Sequence, residues 1–94
     1  MAKVKCGLIQ MGFKADTDME PDKIRDIMIE AHVPYIEDAG KQGVQVLCFQ
    51  EVFTQAYFCP SQDRKWYAAA EPIPDGHTTR LMQEYAKKHS MVIV

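Results

Sequence analysis

Residues 46–60 read VLCFQEVFTQAYFCP, and this stretch decides the fold. Five of the six residues from 44 to 49 are apolar, which is typical of a strand buried in a sheet. Gln50 and an ionisable residue, Glu51, follow the strand at once, and Val52 and Phe53 come next. The stretch therefore predicts a core strand that ends in a carboxylate set among apolar and aromatic residues.

Two further strands are predicted, one at each end of the chain. VKCGLIQM, residues 4–11, is rich in apolar residues and fits a buried strand, and MVIV, residues 91–94, fits another. A natural domain rarely stops on an apolar strand with no polar tail. We therefore expect the 94 residues to be the N-terminal portion of a single longer domain, truncated after its third strand.

The first helix is predicted between the first two strands. It should begin near residues 19–21, where Pro21 suits a first turn, and end at Gly40 or Gly43. Pro34 is expected to bend or split it. The i, i+3, i+4 rhythm predicts a buried face made of Ile24, Ile27, Met28, Ala31, Tyr35, Ile36 and Ala39.

Two more helical segments follow the second strand. A short helix is predicted over residues 63–71 and a longer one over residues 77–89, and the segment PIPDG links them. Strands that alternate with helices of this length pair in parallel. The predicted fold class is therefore α/β, with layers of helix and sheet.

Composition and charge restrict the class of protein. The chain has a net charge of −2, with 47% hydrophobic and 26% charged residues, as in an ordinary globular domain. It has no basic stripe that would bind nucleic acid and no apolar run long enough to span a membrane. Its three cysteines are odd in number and lack CxxC spacing, which favours reduced thiols in the cytoplasm.

Glu51 is the first candidate for chemistry. Open α/β sheets bind ligands beyond the carboxyl ends of their strands, and Glu51 falls just past the end of the second strand. A carboxyl group walled by Phe49, Val52 and Phe53 would be partly desolvated, which raises its proton affinity and suits a general base near neutral pH. A surface carboxylate that leaves a strand and pairs with a lysine also explains the position, and both alternatives stay open.

Four segments together resemble the nitrilase, or carbon-nitrogen hydrolase, superfamily: FQEVF, the YFC that follows, AEPIPDGHTTRLMQEYAKKH and MVIV. Within the superfamily, the resemblance is strongest to enzymes that hydrolyse N-carbamoyl amides. It implies that the chain is the N-terminal part of a four-layer α-β-β-α sandwich and of a hydrolase of non-peptide carbon-nitrogen bonds. One departure is Gly76-His77, where relatives often have glycine-proline before the threonines.

The resemblance also implies a mechanism. Members of the superfamily use a glutamate, a lysine and a cysteine, and Glu51 matches the glutamate. The cysteine is the nucleophile that forms an acyl-enzyme, the lysine stabilises the oxyanion, and both are expected downstream of this chain. In this fold the loop after the glutamate forms one wall of the substrate pocket, so Tyr57 and Phe58 are candidate substrate-binding residues. A loop that merely packs on the core explains these two residues as well.

The implied partners are a small amide or carbamoyl substrate and, for the full-length protein, further copies of itself. No nucleic acid, membrane, metal or cofactor is expected. The three histidines, His32, His77 and His89, are widely spaced, and their spacing is not that of a metal site.

Two other residues near Glu51 are weaker candidates. Cys59 is close in sequence, but its aromatic surroundings offer no nearby lysine, arginine or helix N-terminus to favour a thiolate, so a loop-packing thiol is predicted. Lys65 is no better placed. The alternative function for the chain is a non-catalytic α/β module that binds a partner or ligand through its aromatic loop.

Overall fold

The computed structural model describes residues 2–94, and its sheet consists of three parallel strands. β1 is Cys6–Ile9, β2 is Val46–Phe49 and β3 is Val92–Ile93, and β2 lies in the centre. The parallel pairing and the α/β class are as predicted. β2 and β3 are shorter than the apolar runs because Val44 and Met91 donate their backbone N–H groups to the ends of the preceding helices, at Ala39 and Ala86, and not to a neighbouring strand.

Helices connect the strands. α1 is Pro21–Lys41, α2 is His77–His89, and the chain between β2 and α2 contains two short 3₁₀ helices, Cys59–Ser61 and Arg64–Ala69. α1 runs through Pro34 as one helix, so the expected split is wrong, and the bend that was the other expected outcome stays a prediction. Pro34 lies on the exposed side of α1, and so does Glu30, whose carbonyl group loses its N–H partner at Pro34. Among residues 2–94, no helix combines the length and the apolarity that crossing a bilayer requires.

The main core lies between the helices and one face of the sheet. It consists of Ile36, Ala39, Val44, Leu47, Phe49 and Met91, with Met82 and Tyr85 of α2 packed against it. Tyr35 was expected on the buried face of α1, but it is 57% exposed. It is rotated about 100° around the helix axis from its buried neighbour Ile36, which directs it away from the sheet.

The opposite face of the sheet carries apolar side chains that no other part of residues 2–94 covers. Successive residues of a strand point to opposite faces, so Cys6 and Leu8 lie on this face and Gly7 and Ile9 on the packed one. Leu8 is 74% exposed and Val92 is 58% exposed. The prediction that the first strand is buried is therefore wrong for one of its two faces, because both helices pack on the same side. We call this the bare face.

A second, smaller core joins α1 to the loop after β2. Ile24 and Met28, in the N-terminal half of α1, pack against Ala56 and Trp66 of that loop. The C-terminal half of α1 packs on the sheet through Ile36 and Ala39. The two halves of one helix thus hold the sheet and the loop together.

Glu71 fixes the entry into α2. Its carboxylate accepts hydrogen bonds from the backbone N–H of Thr78 at 2.7 Å and from the Thr78 hydroxyl at 2.6 Å. Burial raises the pKa of the Glu71 carboxyl, but the two hydrogen bonds and the positive charges of Arg25 and His77 outweigh it and hold that pKa below its ordinary value. The carboxylate therefore satisfies a donor in the first turn of α2 that the helix itself leaves free.

Candidate active site

Glu51 follows β2 by two residues, at the carboxyl edge of the sheet. Because the strands are parallel, the carboxyl ends of β1 and β3 lie at the same edge. The Glu51 side chain is exposed, and it joins none of the ion pairs found within residues 2–94. The expectation of a water-poor recess around this carboxylate is therefore wrong for the described part of the chain.

The aromatic residues on either side of Glu51 pack around His32 instead. The ring centroids of Phe49 and Phe53 lie 5.4 and 5.3 Å from that of the imidazole, both in edge-on geometry, and 4.6 Å from each other. His32 has no exposed surface. The apolar shell that was predicted around the carboxylate thus encloses a histidine of α1, while Glu51 remains in contact with solvent.

The backbone of Val52 explains this arrangement. Its φ of 54° lies in the left-handed region, which a β-branched residue rarely adopts. The chain turns sharply there, after Glu51, and Phe53 packs back against α1. Gln55 secures the far side of the turn, because its backbone N–H donates to the Val52 carbonyl at 3.2 Å and its side-chain amide donates to the Pro21 carbonyl at 2.9 Å.

Gln50 secures the near side of the turn. Its Oε1 accepts a hydrogen bond from the backbone N–H of Met11 at 3.2 Å, and its Nε2 lies 3.1 Å from Nε2 of His32. Sequence reasoning did not select His32 as a site residue. A signal was present, because His32 continues the i, i+4 series of Ile24 and Met28 along the buried face of α1.

The two predicted substrate-binding residues have different surroundings. Tyr57 is 73% exposed. Phe58 stacks on Trp66 with ring centroids 6.0 Å apart, and Trp66 donates its indole N–H to the Ser61 hydroxyl at 3.0 Å. Phe58 therefore packs on the smaller core and also lines a cavity of about 350 Å³ beside Val52. A substrate-binding role for Tyr57 and Phe58 stays a prediction.

Cys59 and Lys65 are placed by the same loop. Cys59 is a free, exposed thiol, so the prediction that it packs within the loop is wrong; it starts a 3₁₀ helix whose short turn leaves it at the surface. Cys59 and Arg64 line one cavity of about 240 Å³, although no arginine was expected near this thiol. The Lys65 ammonium lies 4.7 Å from the centroid of the Trp66 ring and donates to the Met19 carbonyl at 3.4 Å.

A cavity of about 320 Å³ lies between β2, β3 and the first turn of α2, where Phe53, Thr78 and Thr79 are part of its wall. Glu51 is not among the residues that line this cavity or the cavity beside Phe58. No three histidine, cysteine or carboxylate residues within residues 2–94 cluster as a metal site would require. The described residues therefore supply an exposed carboxylate on a turn that hydrogen bonds hold in place. Its neighbours in sequence line two cavities, but the carboxylate itself lines neither.

Comparison with known proteins gives consistent matches. The sequence profile of the carbon-nitrogen hydrolase family matches residues 17–94. The chain is 40% identical over 92 residues to beta-ureidopropionase of Arabidopsis thaliana, which covers 97% of this chain and 22% of that protein. It is 33% identical over 58 residues to N-carbamoylputrescine amidase of Solanum lycopersicum, which covers 62% of this chain and 19% of that protein.

A third relative is similar over the full chain. Citrullinase of Francisella tularensis subsp. tularensis is 24% identical over 93 residues, which covers 99% of this chain and 30% of that protein. The chain thus spans between 19% and 30% of the length of these three relatives.

Proposed function

The chain belongs to the carbon-nitrogen hydrolase family, and from this premise we propose that it is the N-terminal portion of a hydrolase that cleaves non-peptide carbon-nitrogen bonds in linear amides. The proposed substrate is an N-carbamoyl amide, in keeping with the names of the beta-ureidopropionase and N-carbamoylputrescine amidase relatives. The observation that carries the proposal is the position of Glu51, two residues after the central strand, at the edge where open α/β sheets bind ligands.

Glu51 is the proposed general base. It accepts the proton of a cysteine thiol, and the thiolate attacks the carbamoyl carbon of the substrate. A lysine stabilises the oxyanion of the tetrahedral intermediate. The cysteine and the lysine belong to parts of the domain outside residues 1–94. Glu51 returns the proton to the leaving nitrogen as the first C–N bond breaks. Water then attacks the carbamoyl thioester, and the C–S bond breaks to give back the thiol and a carbamic acid. The carbamic acid loses carbon dioxide and frees the second nitrogen, so that the products are an amine, ammonia and carbon dioxide.

The complete domain is proposed to be a four-layer α-β-β-α sandwich. In it, α1 and α2 form an outer layer, and a second sheet packs on the bare face. The exposed apolar side chains of Leu8, Val92 and Val94 support this arrangement, because a soluble domain rarely leaves a patch of this kind uncovered.

The remaining parts of the proposal concern the surroundings of the site. Tyr57 and Phe58 are proposed to form one wall of the substrate pocket. The full-length protein is proposed to be a homo-oligomer in the cytoplasm, where the three free cysteines would stay reduced.

The test is Glu51→Gln in the complete protein, with ammonia release from N-carbamoyl-β-alanine and N-carbamoylputrescine as the assay. The substitution is expected to lower kcat by about 10²- to 10⁴-fold, because general acid–base catalysis contributes a factor of that size. Glu84→Gln, an exposed carboxylate on α2, is the matched control and should leave kcat unchanged. Unaltered kcat in Glu51→Gln would remove Glu51 from the mechanism.

Two further outcomes bear on the proposal. Absence of hydrolysis of both substrates by the complete protein would reject the substrate class. The isolated 94-residue chain should be inactive, since the proposed nucleophile lies outside it. Turnover by the isolated chain that disappears in Cys59→Ser would contradict the assignment of the nucleophile.

A further inference from the structure

His32 lies at the centre of the contacts that shape the turn carrying Glu51. Phe49 and Phe53 pack edge-on against its ring, and Gln50 bonds to its Nε2. We propose that His32 is a positioning residue, which acts through Gln50 to hold Glu51 at the carboxyl edge of the sheet. The inference rests on the proposed role of Glu51 as general base.

The hydrogen bonds around the imidazole have a fixed direction, because the series begins at a backbone N–H. Met11 N–H donates to Gln50 Oε1 at 3.2 Å, which fixes the orientation of the Gln50 amide. Gln50 Nε2 then donates to His32 Nε2 at 3.1 Å, while Gln50 Oε1 is farther from that atom, at 3.5 Å. His32 Nδ1 therefore carries the hydrogen and donates to the Met28 carbonyl at 2.6 Å. Three successive bonds thus join the residues after β1, the end of β2 and the middle of α1.

The turn that these bonds hold is strained. A β-branched residue in the left-handed region, such as Val52 with φ of 54°, persists only where the surrounding contacts impose it. α1 supplies those contacts on both sides of Glu51, through His32 to Gln50 before it and through the Pro21 carbonyl to Gln55 after it. Loss of one of the two attachments should let the turn relax and displace Glu51.

A histidine that only filled space in the core would be replaceable by any ring of similar size. Here an apolar ring would remove the acceptor that the half-buried Gln50 amide finds on α1, so Gln50 would lose its attachment to the helix. The chemistry of the ring, and not only its volume, is therefore expected to matter for the position of the turn.

Two variants of the complete protein separate these contributions. His32→Gln brings an amide oxygen to the place of Nε2, where it can accept from Gln50. His32→Asn brings an amide nitrogen to the place of Nδ1, where it can donate to Met28, but it leaves Gln50 unpaired. Ile36→Val, on the same buried face of α1 and equally buried, is the matched control for a general loss of packing.

His32→Asn is expected to lower kcat by about 10- to 100-fold, since a displacement of about 1 Å near the chemistry can cost about 10²-fold. KM should change by less than about 3-fold, because substrate contacts are retained. His32→Gln should stay within about 5-fold of the wild-type kcat, and Ile36→Val should match wild type. Equal kcat in His32→Asn and wild type, or equal losses in His32→Asn and His32→Gln, would overturn the inference.

A double-mutant cycle tests whether the effect passes through Glu51. In the Glu51→Gln background, His32→Asn should cause no further loss, because the residue that it positions no longer acts. If it lowers the remaining rate by the same factor as in wild type, His32 acts independently of Glu51 and the inference fails.

Amide hydrogen exchange distinguishes failure of this inference from failure of the proposed function. Exchange across residues 49–55 should be faster in His32→Asn than in wild type and His32→Gln, while α2 is unchanged. If Glu51→Gln is fully active, or if the complete protein hydrolyses no amide, the proposed function fails, and exchange at the turn still decides whether His32 holds it. Unchanged exchange in His32→Asn would overturn the inference.

Discussion

Gly40, near the end of α1, lies against the imidazole of His89 at the end of α2. A Cβ atom at position 40 would overlap Nδ1 of that ring and lie 2.6 Å from its Cγ and its Cε1. The ring has little room to move, because its side chain is 12% exposed and its Nε2 lies 3.2 Å from Oε2 of Glu37. Gly40→Ala should therefore force α1 and α2 apart or displace the ring from Glu37.

Two opposing contributions set the change in the free energy of unfolding that we expect for Gly40→Ala. Alanine is better than glycine in the interior of a helix by about 1 kcal/mol, whereas overpacking costs about 1–3 kcal/mol. Because three atoms of the ring would lie inside contact distance, the steric cost should be near the top of that range. We expect Gly40→Ala to lower the free energy of unfolding by about 1–2 kcal/mol.

The sign should reverse when the ring is absent. In a His89→Ala background the steric cost disappears, and Gly40→Ala should raise the free energy of unfolding by up to about 1 kcal/mol. Urea unfolding of the four proteins of this cycle, with amide exchange across residues 36–41, measures both values. Gly12→Ala is the control, since a Cβ atom there meets nothing within 4 Å. Stabilisation by Gly40→Ala in the wild-type background would refute the contact between Gly40 and His89.

Two further substitutions test other parts of the structure. Because the folded pKa of Glu71 is depressed, its stabilising effect should be present above the unfolded pKa of about 4.3 and be lost as the pH falls through the folded value. The melting temperature of Glu71→Gln should thus lie below that of wild type at neutral pH, and the difference should vanish in acid; a pH-independent difference would contradict this. Leu8→Lys on the bare face should destabilise the complete protein by about 2 kcal/mol or more, whereas Ile73→Lys, at a residue that is 84% exposed, should change stability by less than about 0.5 kcal/mol. Equal thermal shifts for these two variants would argue against a second layer on the bare face.

Periodicity predicted the secondary structure well, because it depends on local burial. The start of α1 at Pro21 and the bounds of α2 agree with the structure, and so does the parallel order of the strands. Periodicity does not indicate how wide a covering layer is. Tyr35 fits the rhythm of α1 and Leu8 fits an apolar strand, yet both are exposed. Whether another element covers such a residue depends on tertiary contacts, which the local pattern does not contain.

The surroundings of the candidate site were harder to predict. Phe49, Val52 and Phe53 flank Glu51 in sequence, and for that reason they were predicted to surround its carboxylate. The left-handed backbone of Val52 turns the chain so that Phe53 packs against His32. The sequence does not indicate this conformation, because valine rarely adopts it. The hydrogen bond between Gln50 and His32 joins residues that are 18 positions apart, which a local pattern does not reveal.

The division of α1 between two cores has an evolutionary consequence. The main core and the smaller core share no residue, and α1 contributes to each with a different half. A change at Ala56 or Trp66 therefore acts first on Ile24 and Met28, which belong to the smaller core alone. A lineage can vary the loop around Ala56 and Trp66 while it inherits the sheet, whereas Phe53, which packs against the main core, couples the residues beside Glu51 to the strands.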